Sequence, residues 1–318
     1  MSPFHRPLEG CVVNLSISQS DNSEQLGFPS WQVNRIMLQI VAALFGQGAS
    51  LVFGHDWRKD GVMEAVFGFA RLVQAPIPLS PENSAAEQQP LLKNLLPWPE
   101  TPYLLERDLE QLSSTLKVEL AGLPRELQPF GDEASRLDPN DGMFQYMRAR
   151  GLTYLRHRLN DKSNVRICVG GPRSKYAGRY PGVIEEAFVA VTANKPLYLA
   201  GFLGGAAEQV IDAIEGKKMT EEFCRPTRIQ ALYNTPPIKE ENQATVADRT
   251  IDREEVWNTF ANFGCERLAA SNGLTPREND ELHRTPVIDR AIELILVGLS
   301  RLKASAPHKA LQHRREVQ

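Results

Sequence analysis

The stretch from residue 165 to 203 constrains the fold of this chain more than any other. An apolar run at 165–169 predicts a buried strand, and the pair Gly170-Gly171 ends it. A helix opens at Gly182, and a second apolar run at 196–199 predicts the next strand. The order is therefore strand, glycine-rich turn, helix and strand.

The residues between these elements suit a phosphorylated ligand. Glycines at the end of a strand let the backbone approach a ligand closely, and a helix start presents free N–H groups and a partial positive charge. The loop carries Arg173, Lys175 and Arg179, which can contact phosphate, and the first helical turn carries Glu185 and Glu186, which can accept hydrogen bonds from ribose. The same pattern also fits a plain turn whose acidic residues only complement the helix dipole. Both interpretations stay open at this point.

The first 80 residues repeat the alternation of strand and helix. Apolar runs at 11–17, 50–53 and 76–79 predict strands, and helical periodicity covers about 31–45, with Ser30 as its N-cap, and 62–73. Alternation of this kind favours a mostly parallel sheet with helices on both faces.

Polar residues and glycines follow the other predicted strands as well. Ser18 follows the first strand, Gly54-His55 the second, and Gly204-Gly205 the strand at 196–199. Ligands bind beyond the carboxyl ends of the strands in an open α/β sheet, so a second glycine turn before a helix supports a nucleotide site. His55 either meets a phosphate or base there or is a turn histidine that bonds the backbone.

The middle of the chain is less regular. Residues 80–142 form a polar, proline-containing excursion from the sheet, with a weak helix at 103–112 and a strand at 115–120. A helix over 143–159 follows, and Arg148 near its start can point into a site. The other arginines of this helix are expected at the surface: Arg150, Arg156 and Arg158.

The chain changes character after residue 215. Residues 217–247 are polar and interrupted by prolines, and helices follow at 253–270, after Thr275-Pro276, and up to Leu302. We predict a domain over 1–215 and a C-terminal helical extension over 216–318, with a disordered basic tail from residue 305. The wide apolar arc of the last helix fits either core packing or a subunit interface.

Composition excludes several classes of function. A net charge of −3 argues against bulk nucleic-acid binding, and no apolar run has membrane-spanning length. The N-terminus lacks a signal-peptide core. Four cysteines without a CxxC pair favour reduced thiols, and no histidine–cysteine spacing suits zinc. We expect a cytoplasmic protein without a metal or a cofactor.

Three segments together resemble the SLOG superfamily: Asn14–Ser18, Leu51–His55 with Gly61, and Gly170-Gly171 with Pro181–Glu186. That superfamily includes the lonely-guy phosphoribohydrolases, DprA-like proteins and the ligand sensors joined to sirtuin or TIR systems in bacterial defence. The resemblance covers about residues 10–215. It implies a Rossmann-like fold with a nucleotide pocket to which Ser16 and Ser18 contribute.

The resemblance also implies roles for single residues. In the lonely-guy signature PGGxGTxxE, Gly182 to Glu186 corresponds to GTxxE, so Glu186 falls on the catalytic glutamate. Arg148 resembles the family arginine on the preceding helix, and Gly54 and Gly61 resemble the earlier phosphate turn. The chain departs from the signature because ten residues, 172–181, stand where the signature has one.

Two functions from different classes follow. The first is a sensor that binds a nucleotide or an NAD-derived, ADP-ribose-type ligand, forms homo-oligomers through its C-terminal helices, and works with a TIR or sirtuin-type partner protein. The second is an enzyme that cleaves an N-glycosidic bond, in which Glu186 or Glu185 stabilises an oxocarbenium-like centre and Arg148 holds the phosphate. A DNA-associated role like that of DprA is disfavoured by the acidic balance.

Overall fold

The computed structural model describes residues 6–54, 62–74, 90–100, 115–238 and 249–315. Within them, six parallel strands form one sheet in the order β4-β3-β2-β1-β5-β6. Their bounds are β1 Val12–Ser18, β2 Ser50–Phe53, β3 Leu92–Pro97, β4 Leu116–Gly122, β5 Val165–Gly170 and β6 Leu197–Ala200. The predicted Rossmann-like α/β fold is confirmed.

Helices cover both faces of the sheet. The bounds are α1 Ser30–Gly46, α2 Val62–Gln74, α3 Gly131–Ala134, α4 Gly142–Asp161, α5 Gly182–Thr192, α6 Gly205–Ile214, α7 Glu221–Cys224, α8 Arg228–Asn234, α9 Arg253–Asn272, α10 Pro276–Arg284 and α11 Ile288–Arg315. A 3₁₀ helix over Arg125–Phe130 precedes α3. No helix that the structure describes combines the length and the apolar composition that crossing a membrane requires.

Three local predictions need correction. Strand β3 lies inside the segment that was predicted to be an excursion from the sheet. The sequence did not indicate this strand, because its apolar run is short and ends at a proline. Ser30 is the first residue of α1 and not its cap, which is Pro29. Helix α11 continues to Arg315, where a disordered tail was predicted, because alanine, lysine and arginine in that stretch favour helix. The predicted strand at 76–79 and helix at 103–112 lie outside the described residues.

The two faces of the sheet bury separate cores, because successive side chains of a strand point to opposite faces. On one face, Val13 and Ile167 pack with residues of α1 and α11. On the other, Cys168 and Leu199 pack with residues of α5, α6 and α9. Apolar residues of α11, such as Leu294, lie in the first of these cores. The helices after residue 215 therefore complete both cores.

The order in which the strands are added to the sheet reverses between β1 and β5. Strands β2, β3 and β4 extend the sheet from one side of β1, while β5 and β6 extend it from the other. Their adjacent carboxyl ends, at Ser18 and Gly170, form the switch point at which open α/β sheets bind ligands.

Three turns meet at the switch point and bond to one another. The Gly171 amide donates to the Ser18 carbonyl at 2.9 Å, and the Ala206 amide donates to the Gly171 carbonyl at 2.9 Å. Gly205 has φ 69°, and a Cβ there would lie closer than 3.0 Å to the Gly171 carbonyl oxygen and to Ser20 Cβ. Glycine is therefore needed where these turns touch.

We predict that Gly205→Ala lowers the free energy of unfolding by about 2–5 kcal/mol, the sum of left-handed backbone strain and overpacking. Gly216→Ala is the matched control, because Gly216 has φ 75° but no atom near the added methyl group. It should cost only the backbone strain, about 1–2 kcal/mol. Urea unfolding measures both values. Equal losses would show that the turns have room for a side chain at Gly205.

Candidate functional site

A cavity of about 420 Å³ opens between α4, the loop over 172–181 and α8. This volume lies within the range of about 300–1,000 Å³ that small-molecule sites occupy. Helix α4 contributes Gln145 and Arg148 to its wall, and Pro139 lies just before that helix. The remaining lining residues are Lys175, Tyr176 and Ala177 of the loop and Thr227, Arg228 and Ile229 at the start of α8.

Three of the lining side chains are cations, and they have few counter-charges. Lys175 is exposed and makes no hydrogen bond or ion pair within the described part of the chain. Arg228 Nη2 donates to the Asn140 carbonyl at 2.9 Å. Arg148 Nη2 lies 3.9 Å from Glu100 Oε1. We call this site the cationic cavity, because its unbalanced positive charge attracts an anion.

The backbone at Lys175 is strained. Its φ is +53°, in the left-handed region, which costs a residue with a Cβ roughly 1–2 kcal/mol. Such strain persists only where the surroundings fix the backbone, and it is common at ligand sites.

The loop over 172–181 is tied to the segment that leads into α9. Arg179 Nε donates to the Thr250 carbonyl at 2.6 Å. The Tyr180 hydroxyl donates to the Asp252 carbonyl at 3.1 Å and accepts from the Asp252 amide at 2.8 Å. These long-range bonds fix the loop wall of the cavity to the beginning of α9.

Arg253, the first residue of α9, connects two walls of the cavity. Its Nη2 donates to the Tyr176 hydroxyl at 3.3 Å, and its Nη1 donates to Gln230 Oε1 on α8. Gln230 follows two lining residues of α8, so the loop wall and the α8 wall share one buried guanidinium.

The two glutamates predicted to be catalytic lie in a buried ionic network and not on the wall of the cationic cavity. Glu185 is 1% exposed and accepts hydrogen bonds from Thr153 and Arg156. Glu186 Oε2 lies 3.3 Å from Arg166 Nη1, and its Oε1 lies 3.8 Å from Arg156 Nε. Each carboxylate is thus paired with arginine inside the protein.

The expectation that the other arginines of α4 lie at the surface is wrong for two of them. Arg150 is buried and its Nη2 lies 2.7 Å from Glu126 Oε1, and Arg156 is buried against Glu185. Helix α4 packs between the sheet and other helices on more than one side, so arginines on its inner faces take carboxylate partners.

The network continues into the strands. Arg166 of β5 is fully buried and donates from Nη1 to Ser16 Oγ at 3.0 Å. Next to it, burial raises the pKa of the Cys168 thiol to about 12, although Arg166 and a hydrogen bond from Ser16 act in the opposite direction. The Ser16 hydroxyl group is therefore engaged by Arg166 inside the protein, and burial keeps the Cys168 thiol protonated.

The other residues predicted to bind the ligand that the structure describes do not line the cationic cavity. Arg173 Nε lies 3.4 Å from Glu222 Oε2 and 3.9 Å from Asp21 Oδ2, and Arg179 is buried in the contacts described above. Gly54 faces Leu155 and Leu159, and a Cβ at Gly204 would meet Asn22. His55 and Gly61 lie outside the described residues.

Of the predicted site residues, the cationic cavity brings together Arg148 and Lys175. Gly170, Gly171, Gly182, Gly204 and Gly205 lie outside its wall. Sequence reasoning missed Gln145, Thr227 and Arg228. Thr227 and Arg228 stand in a polar stretch without periodicity, and the one signal there was the threonine that caps α8 by accepting from the Gln230 amide.

We predict that Glu185→Ala lowers the free energy of unfolding by about 3 kcal/mol, the low end of the cost of breaking a buried ion pair, because it removes the closer of the two carboxylates beside the buried Arg156 and leaves Glu186 at 3.8 Å. Glu254→Ala is the control, since Glu254 is also in the first turn of a helix but is exposed. It should cost about 0.3–1 kcal/mol. Urea unfolding at pH 7 compares them, and a small loss at Glu185 would contradict the buried pairing.

Comparison with known proteins identifies one family. The family model described as SLOG cluster2 matches residues 7–282, which extends past residue 215 and includes α8, α9 and the whole wall of the cationic cavity. No curated protein and no solved structure matches the chain. The match indicates a role in binding or processing a nucleotide-related ligand. The chain belongs to the SLOG cluster2 family.

Proposed function

We propose that the cationic cavity binds a nucleotide or an NAD-derived, ADP-ribose-type ligand and that the protein acts as a sensor of this ligand. The observation that carries the proposal is the charge of the wall: Arg148, Lys175 and Arg228 line one cavity, and within the described residues their one ion pair joins Arg148 to Glu100 at 3.9 Å. A phosphate group supplies the missing negative charge.

The lining residues offer different contacts to different parts of such a ligand. An arginine guanidinium can bind two phosphate oxygens at once, and a lysine ammonium acts as a mobile point charge. Tyr176 and Ile229 supply apolar surface against which a base or a ribose packs. The ring of Tyr176 is held in place because Arg253 donates to its hydroxyl group.

The cavity wall favours binding over turnover. The described residues that line it include no carboxylate, whereas hydrolysis of a glycosidic bond ordinarily uses a pair of them. Glu185 and Glu186 are paired with arginines in the interior. This supports a sensor that binds its ligand without cleaving it.

A second candidate function is cleavage of an N-glycosidic bond of a nucleotide. One observation favours it: the Glu186 side chain keeps 19% of its surface exposed, so part of the carboxylate that lies beside Arg156 and Arg166 is open to solvent. In this mechanism Glu186 stabilises the oxocarbenium-like centre.

The sensor function also implies a protein that responds to occupancy. A TIR or sirtuin-type partner and a homo-oligomer formed through the C-terminal helices stay predictions. The bonds between the loop over 172–181 and the start of α9 support a route by which occupancy reaches those helices.

Calorimetry with inorganic phosphate, pyrophosphate, AMP, ADP, ADP-ribose and NAD tests the proposal. We expect micromolar binding of at least one phosphorylated ligand, weakened by added salt, with no base released when the bound mixture is analysed by chromatography. Base released by the wild type but not by Glu186→Ala would favour the second candidate. Equal release by both would remove Glu186 from the mechanism.

We predict that Arg228→Met weakens binding of the phosphorylated ligand by about 10- to 100-fold, because a hydrogen bond to a charged group contributes about 1.5–3 kcal/mol. Lys175→Ala should weaken it less, by about fivefold, since its side chain is exposed. Lys218→Ala is the control, an exposed lysine outside the cavity wall. Unchanged affinity in both cavity variants would place the ligand elsewhere.

A further inference from the structure

Arg253 is a buried cation that lacks a counter-charge. It is 7% exposed, and its two bonds go to neutral acceptors, Gln230 Oε1 and the Tyr176 hydroxyl. Its Nε has no hydrogen-bond partner, and no carboxylate pairs with it within the residues that the structure describes. A buried arginine in this state is unusual, because a desolvated charge is ordinarily paired.

Other buried arginines of the chain do not share this feature. Arg150 faces Glu126, Arg156 faces Glu185, and Arg166 faces Glu186. Within the described residues, these three buried arginines therefore each have a carboxylate partner, whereas Arg253, which lies directly behind the wall of the cationic cavity, has none.

The bond from Arg253 also sets the chemistry of Tyr176. Because the hydroxyl oxygen of Tyr176 accepts from Arg253, its own hydrogen is free to be donated to another group. A hydroxyl that accepts from a cation becomes a stronger donor, since bonds in a chain polarise one another. Tyr176 lines the cavity, so this donor joins the three cations of the wall.

We propose that Arg253 is a positioning residue of the cationic cavity and that the phosphate of the bound ligand is its missing counter-charge. The inference rests on the proposed function and deepens it. Arg253 orients Tyr176, holds α8, which begins with Arg228, through Gln230, and raises the positive potential of the wall from behind. The ligand-free site is incomplete, and an anion with more than one negative charge completes it.

The proposal predicts that replacing Arg253 changes the affinity for the ligand without lowering the stability of the ligand-free fold. If Arg253 serves the ligand, its replacement by an apolar residue of similar length removes an uncompensated buried charge and does not destabilise the ligand-free fold. The same replacement weakens binding, because Arg253 bonds the hydroxyl group of the lining residue Tyr176, and at an effective dielectric constant of about 20 a charge one side chain away from a phosphate still attracts it. A purely structural arginine would show the opposite pattern.

The experiment compares the wild type with Arg253→Met, Arg253→Lys and Arg150→Met, using pyrophosphate and ADP-ribose as probes. Urea midpoints are measured with and without each probe, and calorimetry gives the dissociation constants. We expect Arg253→Met to keep or raise the ligand-free midpoint and to bind about tenfold more weakly. Arg253→Lys keeps the charge and should stay within about threefold of the wild type.

Arg150→Met is the matched control, because it removes a buried arginine whose partner, Glu126, is present. It should lower the ligand-free midpoint and keep the midpoint rise that the probes cause. The proposal is overturned if Arg253→Met binds as tightly as the wild type, or if it unfolds as readily as Arg150→Met or fails to fold. Absence of binding by the wild type to any phosphorylated ligand would instead remove the proposed function, and the inference with it.

Discussion

The buried pairing of Glu185 with Arg156 is the interaction on which the rest of the structure depends. It takes two charges out of water between α4 and α5, where either alone would be strongly destabilising. The loop over 172–181 is built against the same guanidinium, because a Cβ at Gly178 would lie 2.7 Å from Arg156 Nη1 and one at Gly182 would lie 3.3 Å from Nη2. The ion pair therefore fixes where α5 begins and where the loop that carries Lys175 and Tyr176 lies, and so it sets the position of one wall of the cationic cavity.

Much of the fold was predictable, because apolar runs mark most of the strands and helical periodicity marks the longer helices. Strand β3 was not, since its short run ends at Pro97 inside a polar segment. The site was predictable only in part. The position of Arg148 near a helix start and the charge of the Lys175 loop indicated a site, and both residues line one cavity. Arg228 joins them only in the folded chain, and no local sequence pattern indicates this. The buried arginines of α4 were misplaced for a related reason: residue type predicts exposure, and the carboxylate that makes burial tolerable comes from another element.

The glycines at the switch point show what a glycine-rich turn after a strand does and does not specify. Gly170, Gly171 and Gly205 all have positive φ, and a side chain at each would collide with a neighbour: the Ser18 carbonyl at Gly170, Val183 of α5 at Gly171, and the Gly171 carbonyl at Gly205. The sequence correctly indicates a close approach of backbone at the strand ends. It does not say what approaches, because a carbonyl of another turn imposes the same requirement as a phosphate. The role of these glycines toward a ligand stays a prediction, while their role in joining β1, β5 and β6 is visible in the bonds among the three turns.

A sensor needs two states that a ligand can distinguish, because a ligand shifts an equilibrium only by its differential affinity. In the sensor function proposed above, the cationic cavity meets this condition through electrostatics. Without an anion, three cations on the wall and the buried Arg253 behind it repel one another, and the contacts of Arg253 with Tyr176 and Gln230 are maintained against that repulsion. In the same proposal, a bound anion removes that repulsion and so reinforces these contacts. Since Arg253 begins α9, and α9 buries Trp257 and Phe260 in the core shared with α5 and α6, the difference between the two states acts on a helix that belongs to the framework of the fold. The link from ligand to framework thus needs no moving domain, only a change in how firmly one end of α9 is held.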